Sequence, residues 1–299
     1  LGTPEAMGAL VNAFKKAPVT ESQTAALQGL ARRGDMAYLE PLITVFTTEG
    51  DFSGKVDLAH AIATLSFTQL EDVETASTAI QNEFRAYLTR NLLPAEIYDP
   101  IIELVKVTIV NQSTTEGDPS IVYWLDQSNL HTILREAEVA EEHFSAIEDY
   151  GLALVNIERS NIRLYLERKL MEAEPIGQEA LTYGQLLIDL RDPRAIPVVA
   201  QHLIRVMEFA IIRERLAEGQ LDAMVYQQLL EHLEFSAKLL SSLMMAVDTP
   251  GTYRMRRRAV RAIRDWLDQR MGAIPHGVFK QWVVAQLELS FNEYLPGLE

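Results

Sequence analysis

The sequence predicts an all-α fold, an α-α superhelix of helical hairpins with over-long, irregular helices in its middle. Two observations predict it. Apolar residues recur at i, i+3, i+4 and i+7 along nearly the whole chain, and no stretch of strand alternation lasts. A helix–turn–helix joint, Leu27–Leu42, returns as Gln185–Val199, with Asp35 matching Asp192, Leu39 matching Ile196 and Leu42 matching Val199. A joint used twice marks a chain that stacks similar units.

Residues 3–33 are expected to form the first hairpin. Thr3-Pro4-Glu5 is a capped helix start, followed by the stripe Met7, Leu10, Val11 and Phe14. Pro18 ends that run, Thr20 and Gln23 open the next helix, and Ala26, Leu27 and Leu30 line it up to Gly34. Residues 35–69 repeat the scheme, with Leu39, Leu42, Ile43 and Phe46 on one helix and Val56, Ala59, Ile62, Ala63 and Leu65 on the other. The turn between them is placed at Thr47–Gly54.

These residues resemble the joints of HEAT repeats. Leu30-Ala-Arg-Arg-Gly-Asp-Met-Ala-Tyr-Leu-Glu-Pro-Leu-Ile43 carries the likeness once, and Leu190-Arg-Asp-Pro-Arg-Ala-Ile-Pro-Val-Val199 carries it again more closely. With residues 3–69, 178–200 and a later unit at 236–268, the resemblance covers about half of the chain. It implies an architecture and leaves the function open.

Val73, Ala76, Ile80, Phe84, Tyr87 and Leu88 predict a further buried helical face. Pro94 and Pro100 bracket a connection, and Ile101–Val110 reads as an apolar helix. Asn111–Pro119 has turn formers and no apolar residue, so the boundary between an N-terminal region of residues 1–110 and a long-helix region of 120–299 is set there. One continuous solenoid fits the same pattern. Asn129–Glu172 reads as a single helix of over ten turns or as two with a bend at Gly151. Gln178–Asp189, Arg194–Glu218, Leu221–Val247, Tyr253–Met271 and Gly277–Tyr294 complete the helices.

Bulk properties narrow the function. The 299 residues carry a net charge of −15, so the overall field works against nucleic acid. The absence of cysteine removes disulfides, thiolate catalysis and cysteine-ligated metals. No wholly apolar run reaches the roughly 18 residues of a membrane span, and no such span is expected. The chain starts at Leu1, from which a processed or truncated N-terminus is expected, and both the cell envelope or periplasm and the cytoplasm remain open.

One segment runs against the global charge. Residues 254–270 hold seven arginines and two aspartates. Arg254, Arg257, Arg258, Arg261 and Arg264 fall along one side of a helix, while Met255, Val260, Ile263 and Trp266 point elsewhere. Such a stripe is either a docking face for an acidic partner or phosphate, or a solvated face paired with the chain's own acids. Phe279, Trp282 and Phe291 give the last helix apolar residues on more than one side, the mark of a covered surface.

The remaining clusters point away from chemistry. His131, Glu136, Glu138, Glu141, Glu142 and His143 lack the repeated Glu-x-x-His of a carboxylate-bridged metal pair, and Asp57-x-x-His60 occurs once. No phosphate-binding loop, nucleophile elbow or zinc motif is present. The expected function is therefore a non-enzymatic scaffold or adaptor for a protein partner, alone or as a subunit of a larger assembly, with no cofactor, metal or catalytic residue. The HEAT resemblance adds one alternative, an enzyme on such a scaffold of the bilin-lyase kind. Its DNA-glycosylase and di-iron hydroxylase precedents need a basic concave face or repeated His-Glu dyads.

Overall fold

The computed structural model describes residues 36–48, 52–105, 108–110, 120–122, 127–216, 223–245 and 250–270. Ten helices occur among them: α1 (Leu39–Thr48), α2 (Phe52–Ala63), α3 (Leu70–Arg90), α4 (Tyr98–Val105), α5 (Gln127–Glu136), α6 (Phe144–Glu172), α7 (Gln178–Leu190), α8 (Ile196–Leu216), α9 (Ala223–Met245) and α10 (Pro250–Arg270). Two three-residue strands, β1 (Thr108–Val110) and β2 (Ser120–Val122), pair as a small ribbon. The fold is all-α apart from that ribbon.

The ribbon corrects two expectations. Ile101–Val110 is helical only to Val105, and strand pairing occurs where none was expected. The cause is local: Val107, Thr108, Ile109 and Val110 are consecutive β-branched residues, which crowd a helix and suit a pleated surface. The loop at Asn111–Pro119, with its boundary, lies outside the described residues.

A second correction concerns the middle of the chain. Residues 129–172 are two helices, broken at 137–143, and Gly151 sits inside α6 without a break. Glu138 takes the left-handed conformation at φ 55°. Its N–H donates to the Arg135 carbonyl at 3.0 Å, and the Val139 N–H donates to the Leu134 carbonyl at 2.9 Å. This pair of reversed bonds satisfies the last carbonyls of α5, a cap usually built on glycine. Val139 is buried and anchors the turn.

The same joint recurs. Leu92 ends α3 at φ 56° and Arg191 ends α7 at φ 50°. A single 3-10 turn then leads into the next helix: Ala95–Ile97 before α4, Glu141–His143 before α6, Pro193–Ala195 before α8. The turn Met36–Tyr38 opens α1 in the same way. The 3-10 turn thus leads into a helix four times among the described residues, twice where the sequence places the joint.

Contacts divide the chain into two compact units, Leu1–Ile109 with Val122–Leu164, and Val110–Ile121 with Tyr165–Glu299. The later division falls inside α6. In the first unit α1, α2 and α3 pack on one another and α4 packs on α5. Their core contains Leu42, Phe46, Leu58, Ile62, Ile80, Phe84 and Tyr150, all fully buried. Leu65, past the end of α2, is buried with them, and all six residues expected on the buried face of α3 are buried.

In the second unit α8 is the central helix, packed on α9 and α10, while α7 packs on α9. The Pro193–Arg213 stretch is the one among the described residues long and apolar enough to cross a bilayer by length and composition, with 56% of that window buried inside the fold. It carries Arg205 and Glu208, and both are held by protein groups. Arg205 donates to the carbonyls of Met171 at 2.7 Å and Ala173 at 3.3 Å, capping the C-terminus of α6. Glu208 accepts from the indole of Trp266.

Candidate functional site

Helix α10 begins at Pro250, whose fixed φ and missing N–H suit the first helical position. Ala259, Val260, Ile263 and Trp266 are buried. At about 100° per residue they form one stripe, and this stripe meets α8 and the turn Pro193–Ala195. The turn is held by Asp192, which accepts from the Arg194 backbone N–H at 3.0 Å and from its guanidinium at 2.6 Å.

Arg257, Arg258 and Arg261 are exposed on the side of α10 opposite the buried stripe, with the exposed Asp265 beyond them. None of the three has a carboxylate within ion-pair distance among the described residues, Asp265 included. Arg256 is half-buried on the other side and is engaged within the fold. The side chains of Arg254 and Arg264, and the whole of Phe279, Trp282 and Phe291, lie outside the described residues. Chemically, the face offers three planar guanidinium forks, each able to bind a carboxylate or phosphate through two parallel hydrogen bonds.

The acidic cluster takes a different form. Glu136, Glu138, Glu141 and Glu142 are exposed along the α5–α6 joint. His143 turns inward, its Nδ1 2.8 Å from the Tyr87 hydroxyl, and His131 lies 3.5 Å from Glu148. Burial raises the Tyr87 phenol above its ordinary range, with Glu142 adding to the shift. Among the described residues no group of three or more His, Asp or Glu side chains is placed to hold a metal ion.

Two polar centres escaped the sequence reading. In the first unit Lys55 is buried in an ion pair with Glu83, and Arg90 approaches the same carboxylate at 3.5 Å. In the second, His202 of α8 and His232 of α9 are both buried, as is Ser236 one turn along α9. The Nδ1 of His202 and the hydroxyl of Ser236 have no hydrogen-bond partner among the described residues. Burial pushes the His202 imidazole down to about 4, helped by the charges of Arg205 and His232. In the sequence His202 and His232 each stand alone on an apolar helix, a pattern shared with many inert core residues.

No protein-family model matches this chain, and neither does a curated protein or a solved structure.

Proposed function

We propose that this chain is a non-catalytic helical-repeat scaffold, HEAT-like in architecture, that binds an acidic protein surface on the arginine face of α10 and serves as a subunit of a larger assembly. The observation that carries the reading is the face itself. Arg257, Arg258 and Arg261 are exposed and lack a carboxylate partner among the described residues, in a chain with 42 acidic side chains. Exposed cations surrounded by their own acids usually pair or scatter, and a row left open suits recognition from outside.

Two features support the architecture. Among the described residues a left-handed helix end followed by a 3-10 turn joins successive helices three times, and a fourth 3-10 turn leads into α1. Packing of α7 on α9, α8 on α10 and α1 on α3 brings alternate helices together, as stacked hairpins require.

The test is charge reversal in the full chain, Arg257→Glu with Arg261→Glu, followed by affinity capture from the native source and light scattering after size exclusion. The wild type is expected to retain a defined acidic protein that the variant loses, with both chains folded. Equal capture by the two chains, or a monomer that retains nothing, overturns the proposal.

A further inference from the structure

The seam between α8 and α9 holds a histidine pair whose ionisation the fold does not accommodate. His202 is 1% exposed and His232 8% exposed, on two helices packed against each other. Among the described residues the His202 Nδ1 has no hydrogen-bond partner, and neither has the Ser236 hydroxyl beside His232 on α9. We infer that His202 and His232 form an acid-sensitive latch, in which protonation inside the buried seam drives α8 and α9 apart.

The charged groups on the surrounding elements favour this outcome. On α8 itself Arg205 is fixed at the carbonyls closing α6, so its charge stays beside His202. Three carboxylates of the neighbouring elements accept hydrogen bonds from other groups, and none of them acts on either imidazole. Glu208 accepts from Trp266, Asp192 of the turn before α8 is clasped by Arg194, and Asp189 of α7 accepts from Gln185 at 3.1 Å. On α9 the exposed Glu231 accepts from Gln227 and opposes the shift of His232 only as the smaller influence. From α10 the half-buried group is Arg256, another cation. Protonation of His202 therefore adds positive charge next to the Arg205 cation, and at His232 the Glu231 carboxylate offsets the effect of burial only in part.

The direction follows from linkage. Both imidazoles titrate below the ordinary 6.5, so the unfolded chain binds protons that the folded chain refuses. The stability they leave intact is fully present above pH 6.5 and is lost as pH falls toward the folded values. A shift to about 4 at His202 alone lowers the folding equilibrium about 30-fold by pH 5, before most carboxylates titrate. His232 acts in the same direction.

Hydrogen exchange on the full chain tests this, with protection corrected for the intrinsic pH dependence of exchange. From pH 7.5 to pH 5, amides of α8 and α9 are expected to lose protection about 30-fold or more, while those of α1–α3 hold. In a His202→Leu, His232→Leu variant the loss is expected to fall below about threefold. An equal loss in both chains, or none in the wild type, overturns the latch. Should the variant fail to fold, imidazole titration in the wild type decides by NMR. Resonances of His202 and His232 that titrate near pH 6.5 while α8 and α9 stay protected overturn it, and rings that stay neutral until the helices open support it. Neither outcome depends on whether the arginine face binds a partner.

Discussion

Trp266 donates its indole N–H to the Glu208 carboxylate at 3.0 Å, fastening α10 to α8. Trp266 is nearly buried, so the bond is sheltered from competing water. Trp266→Phe keeps an aromatic ring in place and removes the donor. It is expected to cost about 1–2 kcal/mol, the usual net worth of a hydrogen bond to a charged group in partial shelter. Urea denaturation followed by circular dichroism measures this, and an unchanged midpoint would show that the bond contributes nothing.

Gly184 permits the close approach of α7 to α9. A Cβ at that position would lie 2.8 Å from the Phe235 ring and 3.0 Å from the Leu239 side chain. Leu239 is fully buried and cannot step aside freely. Gly184→Ala should therefore destabilise by about 1–3 kcal/mol despite its better helix propensity, because overpacking outweighs the gain. The same denaturation experiment reports it; a stabilised variant would mean that the helices can separate at little cost.

Leu92 presents the opposite case. It sits at φ 56° with its side chain 92% exposed, so it carries left-handed strain and buries nothing in return. Leu92→Gly is expected to stabilise by about 0.5–1 kcal/mol, since the strain of a side chain in this region exceeds the added freedom of the unfolded chain. A rise in the melting temperature checks this, and a fall would show that the Leu92 side chain has a role in the fold.

The Lys55–Glu83 pair is buried on the lysine side, and Arg90 supplements it from a more exposed position. Lys55→Ala removes the closer cation and is expected to cost about 2–4 kcal/mol, less than a fully isolated buried charge because Arg90 remains. Replacing both members, Lys55→Met with Glu83→Leu, should cost much less than Lys55→Ala alone. A double-mutant cycle measures the difference. Strict additivity would mean the two groups do not interact.

Much of the helical order was legible because burial follows period. Val73, Ala76, Ile80, Phe84, Tyr87 and Leu88 recur on one helical face, and all six are buried. The arginine segment was legible for the converse reason, as Arg257, Arg258 and Arg261 fall opposite the apolar stripe and are exposed. The break at Glu138 was not legible. Glu, Ala and Val beside a helix end carry none of the glycine signal on which such a cap is usually recognised. The ribbon at β1 was hidden for another reason, since a short apolar β-branched run fits a buried helix equally well.

By itself, then, the sequence determined the helical class, the amphipathic faces and the charge contrast between α10 and the rest of the chain. These depend on spacing and side-chain type, which are local. Only the tertiary structure decided that Leu92, Glu138 and Arg191 would bend left-handed, that Gly184 would admit Phe235, and that His202 and His232 would be buried on two helices packed together. Those outcomes depend on which helix lies across from which. Packing can impose backbone strain and bury an imidazole without leaving any mark in the residues that precede or follow it.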